Sequence, residues 1–178
     1  MSVIIGLAGR RGAGKSTIAR RLATEHGFDC ASFGDIVRQE ALARSLPTST
    51  SSLQAVGRTL IDEWGWPRFC QAVLGNIPRT SQGIIDGIRH VAAIESLRGL
   101  VAPSRFELVF IHLAEDLRLA RIRMRRRVGD DDARVEFDPV EQEVDSLRSL
   151  AAFEVDGGDD KAAESIARWC RSISAERW

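Results

Sequence analysis

The sequence predicts a three-layer α/β fold around a five-stranded parallel sheet, and three observations carry the prediction. Short runs rich in branched apolar residues alternate with amphipathic stretches at helical spacing, the pattern of strands covered by helices. The first such run, Val3–Ala8, passes straight into a glycine-rich turn and then into a helical stretch. The chain has 178 residues, 44% hydrophobic and 28% charged, enough for one domain with a full core.

The elements follow in order. Strands are expected at Val3–Ala8, Cys30–Phe33, Gly83–Asp86, Glu107–Leu113 and Phe153–Val155. Between the first two, Ser16–His26 places Ile18, Ala19, Leu22 and Ala23 on one face and stops at Gly27, completing a βαβ unit. Between the second and third strands lie about fifty residues without a strand signal, far more than a crossover requires. That insertion reads as a helix over Asp35–Ser45, then a loop from Pro47 to Ser52 ending in a helix cap. A further helix carries Leu53, Val56, Leu60 and Trp64, and another has Pro67 in its first turn and runs towards Ile77. After the fourth strand, an arginine-rich helix from about Asp116 to Val128 leads into Gly129 and the acidic run Asp130–Asp132. Helices over Pro139–Leu150 and Asp159–Ser174 close the chain, the latter with Ala163, Ile166, Ala167, Cys170 and Ile173 on one side.

The turn after the first strand, Gly9-Arg10-Arg11-Gly12-Ala13-Gly14-Lys15-Ser16, is a complete G-x-x-x-x-G-K-[ST] phosphate loop and makes a nucleoside triphosphate the first ligand to consider. Its glycines let backbone N–H groups approach phosphate oxygens, and the helix that follows points its positive end at the same anion. Lys15 is placed to reach the β- and γ-phosphates, and the Ser16 hydroxyl to ligate Mg²⁺. Lys15 and Lys161 are the only lysines among 25 basic residues, so a chain that otherwise uses arginine keeps a lysine here.

Two further segments have the same form, a strand end followed by an acid and an arginine. Ala31-Ser32-Phe33-Gly34-Asp35-Ile36-Val37-Arg38 brings Asp35 and Arg38 to the carboxyl edge of the sheet, where ligands of open α/β sheets bind. Asp35 reads either as a ligand-facing acid or as a helix cap. Arg38 opposes the helix dipole unless an anion sits there. In Gly83-Ile84-Ile85-Asp86-Gly87-Ile88-Arg89-His90, Asp86 is placed to hold the hydration shell of Mg²⁺ opposite Ser16, and Arg89 to grip a second phosphate. Arg118, Arg121 and Arg125, at i, i+3 and i+7, share one helix face suited to the charge of a transferring phosphoryl group, to a nucleic acid, or to a solvated helix end. Asp130–Asp132 offer those arginines alternative partners.

Composition narrows the partners. The formal net charge is zero, which removes any global attraction to nucleic acid or acidic membranes. Cys30, Cys70 and Cys170 are odd in number and far apart, so neither a disulfide framework nor a zinc site is expected, and a reducing cytoplasm fits. The apolar start is too short for a signal peptide, and no apolar run approaches a membrane span. His26, His90 and His112 do not cluster and are expected to be structural or surface residues.

The order of phosphate loop, Gly-Asp-Ile-Val-Arg, Asp-Gly-Ile-Arg and then Arg121-x-x-x-Arg125 resembles the P-loop nucleoside monophosphate kinase group, which includes adenylate kinase, deoxynucleoside monophosphate kinases and dephospho-CoA kinase. The resemblance spans nearly the whole chain. It implies one P-loop kinase domain with a core over 1–35, 78–117 and 146–178, an acceptor-binding insertion over 36–77 and a short arginine-rich lid over 118–145. It implies an ATP site on Gly9, Gly12, Ala13, Gly14, Lys15, Ser16, Thr17, Arg121, Asp156 and Gly157, the last two in a loop similar to the one that flanks adenine in that group. Asp35, Arg38, Arg58 and Arg89 are implied at the phosphoryl acceptor, Ser16 and Asp86 at Mg²⁺, and Lys15, Asp35, Arg121 and Arg125 in catalysis.

The lid lacks zinc-ligand cysteines, unlike some adenylate kinases, and Leu53-Gln54-x-x-Gly57-Arg58 looks more like phage deoxynucleotide kinases and dephospho-CoA kinase relatives. The acceptor is therefore open between a nucleoside monophosphate, which needs no base, and a hydroxyl acceptor such as dephospho-CoA or a nucleoside, with Asp35 as base. Trp64 and Trp66 would stack on an acceptor base or pack in the core. A nucleotide-binding switch is a different class, and the Asn-Lys-x-Asp element of guanine-specific switches does not occur. A kinase acting on a base within nucleic acid is a third.

Overall fold

The structure is a computed structural model and describes residues 3–78, 82–124 and 139–175. Strands β1 (Val3–Ala8), β2 (Asp29–Ser32), β3 (Gly83–Ile88), β4 (Arg105–His112) and β5 (Phe153–Asp156) pair in parallel in the order β2-β3-β1-β4-β5. The helices are α1 (Lys15–His26), α2 (Phe33–Ala43), α3 (Thr50–Leu74), α4 (Val91–Val101), α5 (Glu115–Met124), α6 (Pro139–Ser146) and α7 (Ala162–Ala175), with a 3₁₀ turn at Leu147–Leu150 between α6 and β5.

Three layers follow from the two-residue period of the strands. Along β1 every residue is buried, and alternate side chains enter different cores. Val3, Ile5 and Leu7 pack with Ile18 and Leu22 of α1 and Ile166 and Cys170 of α7. Ile4 and Ala8 face the opposite core, with Leu60 of α3, Ile94 of α4 and Val144 of α6. A fully buried leucine such as Leu22 or Leu60 contributes roughly 1.5–3 kcal/mol, so these paired faces hold the helices on the sheet.

The connection from β1 leads through α1 to β2 on one side, whereas β3 connects through α4 to β4 on the other. The chain therefore reverses direction between neighbouring strands β1 and β3, and the crevice at their carboxyl ends is the favoured ligand site of such sheets. There β3 carries an extra residue. Asp86 pairs with Leu7 and Ile88 with Ala8, and Gly87 takes up the bulge at φ 89°.

Element boundaries differ from expectation at helix starts. The second helix begins at Phe33, because the Ser32 hydroxyl accepts from the Gly34 N–H at 3.1 Å and caps it, leaving Asp35 inside the first turn and not as the cap. The two expected insertion helices are one span, α3, broken at Gly65 (φ 67°, ψ 168°), with Pro67 in the first turn of its second half as expected. β3 runs on to Ile88, α7 starts at Ala162, and the helix expected through Leu150 tightens to 3₁₀ at Leu147. Residues 125–138, with Arg125 and Asp130–Asp132, lie outside the described residues. Among the described residues no helix is long and apolar enough to cross a membrane.

Candidate active site

The phosphate loop joins β1 to the start of α1 at the crevice between β1 and β3. Gly9, Gly12 and Gly14 have φ of 144°, 87° and 109°, backbone that side-chain-bearing residues rarely adopt. At Gly9 a Cβ would lie 2.2 Å from the carbonyl oxygen of Ile111 in β4, so the loop is seated on the sheet without room for a side chain. Lys15 is buried, and its Nζ donates to the carbonyls of Gly9 at 2.5 Å and Arg10 at 3.0 Å. The lysine arches over its own loop, which holds the ammonium group beside the backbone that would receive phosphate.

Ser16 and Asp86 meet across the crevice, with Ser16 Oγ donating to Asp86 Oδ2 at 2.6 Å. The other carboxylate oxygen, Oδ1, is buried without a hydrogen-bond partner among the described residues. A hydroxyl and an under-satisfied carboxylate, brought together from two neighbouring strand ends, form an all-oxygen donor set of the kind a hard divalent cation takes. The residues fit Mg²⁺.

From this point a cleft of about 510 Å³ opens along the carboxyl edge between the loop and the insertion. Asp35, Arg38, Arg58 and Arg89 all line it, together with Lys15, Ser16 and Asp86. Residues from four distant parts of the chain therefore share one space. Asp35 Oδ1 and Arg38 Nη1 pair at 3.2 Å, and both are more than half exposed. Part of the cleft lining is apolar and aromatic. Phe33 and Phe69 meet edge to face at 5.0 Å, and Trp66 stacks on Phe69 at 6.1 Å with 13° between the rings. Trp66 lines the cleft and also packs on the core, whereas Trp64 packs against Phe69 and Arg68.

Arg121, Asp156, Gly157 and Thr17 do not line that cleft. Arg121 Nη1 donates to the Gly157 carbonyl at 3.0 Å, and Gly157 is pressed on the phosphate loop so closely that a Cβ would come 1.8 Å from the Ala13 carbonyl oxygen. Arg121, Gly157 and Gly14 thus meet on the far side of the loop. Asp156 Oδ1 accepts from the Gly158 N–H at 2.8 Å and closes the turn after β5. Thr17 is exposed on the first turn of α1.

The expected arginine face divides. Arg118 is buried, chelates Glu115 through Nε at 2.8 Å and Nη2 at 2.6 Å, and donates through Nη1 to the Arg11 carbonyl at 3.0 Å. It braces the phosphate loop from behind, and its guanidinium holds the Glu115 carboxyl below the usual carboxylate range. Helical spacing placed Arg118 beside Arg121 but could not tell which arginine the loop would cover.

Sequence reasoning missed the contribution of α6. Val144 is fully buried, and its two neighbours reach in different directions. Asp145 accepts from Arg10 of the phosphate loop, at 2.9 Å from Nε. Glu143 accepts the Val91 N–H at 3.0 Å and lies 2.8 Å from Nδ1 of His90, which packs 4.9 Å from the Trp66 ring. His90, expected to be structural or at the surface, lines the cleft.

An open parallel sheet with this loop at its reversal point and a charged cleft beside it defines the P-loop kinase fold. Solved structures share that fold. A Chloroflexus aurantiacus protein provisionally named a kinase aligns with a TM-score of 0.64 at 16% identity, over 97% of this chain and 96% of that one. Shikimate kinase from Aquifex aeolicus aligns with a TM-score of 0.57 at 15% identity, over 97% and 98%. In sequence, a UPF0200 protein of Methanothrix thermoacetophila is 34% identical over 129 residues, 72% of this chain and 69% of that protein. Residues 8–137 match the AAA domain family AAA_17. The chain belongs to that AAA-domain family, and with it to the UPF0200 proteins.

Proposed function

We propose that this protein is an ATP- and Mg²⁺-dependent kinase that transfers the γ-phosphoryl group to a small nucleotide-like acceptor, in first place a nucleoside or deoxynucleoside monophosphate. The observation that carries the reading is the single cleft shared by Lys15, Ser16 and Asp86 with Asp35, Arg38, Arg58 and Arg89. The phosphate-loop N–H groups and Lys15 bind and orient the triphosphate. Ser16 and Asp86 would hold Mg²⁺, which supplies charge neutralisation at the phosphate oxygens when bound. Arg38, Arg58 and Arg89 present cationic donors to an anionic acceptor, and the Phe33, Trp66 and Phe69 wall offers a planar ring an apolar surface. Catalysis on this reading is positioning and electrostatics. Arg121 and Arg125 are assigned to the transferring phosphoryl group, and Thr17, Asp156 and Gly157 to the nucleotide. The insertion over 36–77 forms the acceptor side of one domain, and 118–145 the lid.

A second reading takes Asp35 as a general base for a hydroxyl acceptor, supported by its place on the cleft beside Arg38. A coupled ADP-release assay with Mg-ATP separates these. The panel holds ribo- and deoxynucleoside monophosphates, nucleosides, dephospho-CoA and shikimate, with Lys15→Ala as control. Turnover on a monophosphate that survives Asp35→Asn supports the first reading. Turnover confined to a hydroxyl acceptor and lost in Asp35→Asn supports the second. Absence of turnover on every acceptor, or unchanged turnover in Lys15→Ala, overturns both.

A further inference from the structure

We propose that Glu143 is a positioning residue for the acceptor half of the cleft, acting through the Arg89-His90-Val91 turn. The proposal rests on the kinase reading above. Among the described residues, the β3–α4 turn is held from outside by one carboxylate whose two oxygens do separate work. Oε1 accepts the Val91 N–H at 3.0 Å, an orphan donor of the first turn of α4 that His90 caps with no side-chain bond of its own. Oε2 lies 2.8 Å from His90 Nδ1. An ionised carboxylate only accepts, so this contact places the ring proton on Nδ1.

The consequence travels in both directions from His90. The ring is held 4.9 Å from Trp66, which stacks on Phe69, and Phe69 meets Phe33 two residues before Asp35. On the other side His90 is adjacent to Arg89, and Arg89, His90 and Trp66 all line the cleft. Glu143 itself is absent from the cleft lining, so it acts by orienting groups that would meet the acceptor. It is anchored on α6 through the neighbouring Val144, which is fully buried in the core. Glu143 lies 53 residues from His90 in sequence and on a different helix, which is why no local motif discloses the link.

The test compares Glu143→Ala, Glu143→Gln and His90→Ala with wild type, reading the KM of the acceptor and the KM of ATP separately and checking each fold by thermal unfolding. Loss of a helix-capping acceptor corresponds to about a five- to tenfold effect. The expected result is a rise of that size in acceptor KM for Glu143→Ala with ATP KM unchanged. Glu143→Gln keeps a carbonyl oxygen for Val91 and should recover much of the loss. The Glu143→Ala/His90→Ala double variant should be less damaging than the sum of the two single variants, because the Glu143–His90 contact is lost in both.

Equal rises in both KM values, no rise at all, or an additive double variant would overturn the proposal. A ¹⁵N–¹H spectrum separates failure here from failure of the kinase reading, since the Val91 amide proton should move upfield in Glu143→Ala without any substrate. An unmoved Val91 resonance removes the contact itself. A moved resonance in a protein that turns over none of the acceptors overturns the kinase reading and the acceptor role resting on it.

Discussion

Ser16 Oγ and Asp86 Oδ2 lie 2.6 Å apart, joining the first turn of α1 to the bulged end of β3. Neither residue alone marks a cation site. Together, with Asp86 Oδ1 buried and without a hydrogen-bond partner among the described residues, they form the all-oxygen set proposed above to hold Mg²⁺. Replacing Asp86 by Asn keeps the shape and removes the charge. We expect roughly a hundredfold or greater loss of kcat, the scale of deleting one preorganised electrostatic contact. Binding of metal-free ATP, followed by calorimetry, should change little, and near wild-type turnover would remove Asp86 from the metal site.

The contact of Gly157 with Ala13 predicts a steric effect that charge cannot rescue. In Gly157→Ala the new methyl would meet the Ala13 carbonyl oxygen at 1.8 Å, so the phosphate loop or the β5 turn must move. A cost of about 2 kcal/mol or more is expected in urea unfolding, as for overpacked cores. ATP affinity should fall with it, although every polar group of the loop is intact.

Arg118 couples loop support to pH. Its guanidinium holds the Glu115 carboxyl below the ordinary value of 4.5, so the unfolded chain binds more protons than the folded one in the carboxylate range. The pair's contribution is therefore present above about pH 4.5 and lost as pH falls through the lowered folded value. Arg118→Ala should cost about 2 kcal/mol at pH 7, moderated by the exposure of Glu115. The stability gap to wild type, from urea melts, should narrow steadily towards pH 3.

Thiol reactivity gives a check independent of catalysis. Burial pushes the Cys70 and Cys170 thiols up to about 12, and burial with the nearby Asp86 and Asp29 carboxylates pushes Cys30 up to about 11. A disulfide reagent at pH 8 should modify Cys30 slowly, since it alone of the three is exposed. Cys70 and Cys170 should react only with unfolding. Rapid modification of either in the folded protein would contradict the packing of α3 or α7.

The strands and the phosphate loop were legible because their signals are local. Val3–Ala8 is buried on both faces and reads as a continuous apolar run, and the glycines of the loop need conformations few other residues tolerate. Asp35, Arg38, Asp86 and Arg89 were legible as strand-end residues, since parallel strands send their carboxyl ends to one edge. The capping role did not fall to Asp35 because Ser32, three residues earlier, has the shorter side chain and the extended backbone a cap requires.

What the sequence by itself determined is the order of elements, the phosphate loop and the set of acids and arginines delivered to the carboxyl edge. Backbone period and turn chemistry act over a few residues, and parallel strands make the edge a consequence of that order. Only the tertiary structure decided which arginine serves which partner. Arg118 is withdrawn beneath the loop, Arg121 reaches the Gly157 carbonyl, and Arg10 takes Asp145 across 135 residues. Those pairings depend on strand order and helix docking, because a charged side chain settles wherever burial leaves an opposite charge or an unfilled carbonyl within reach. Spacing along the chain carries no record of that.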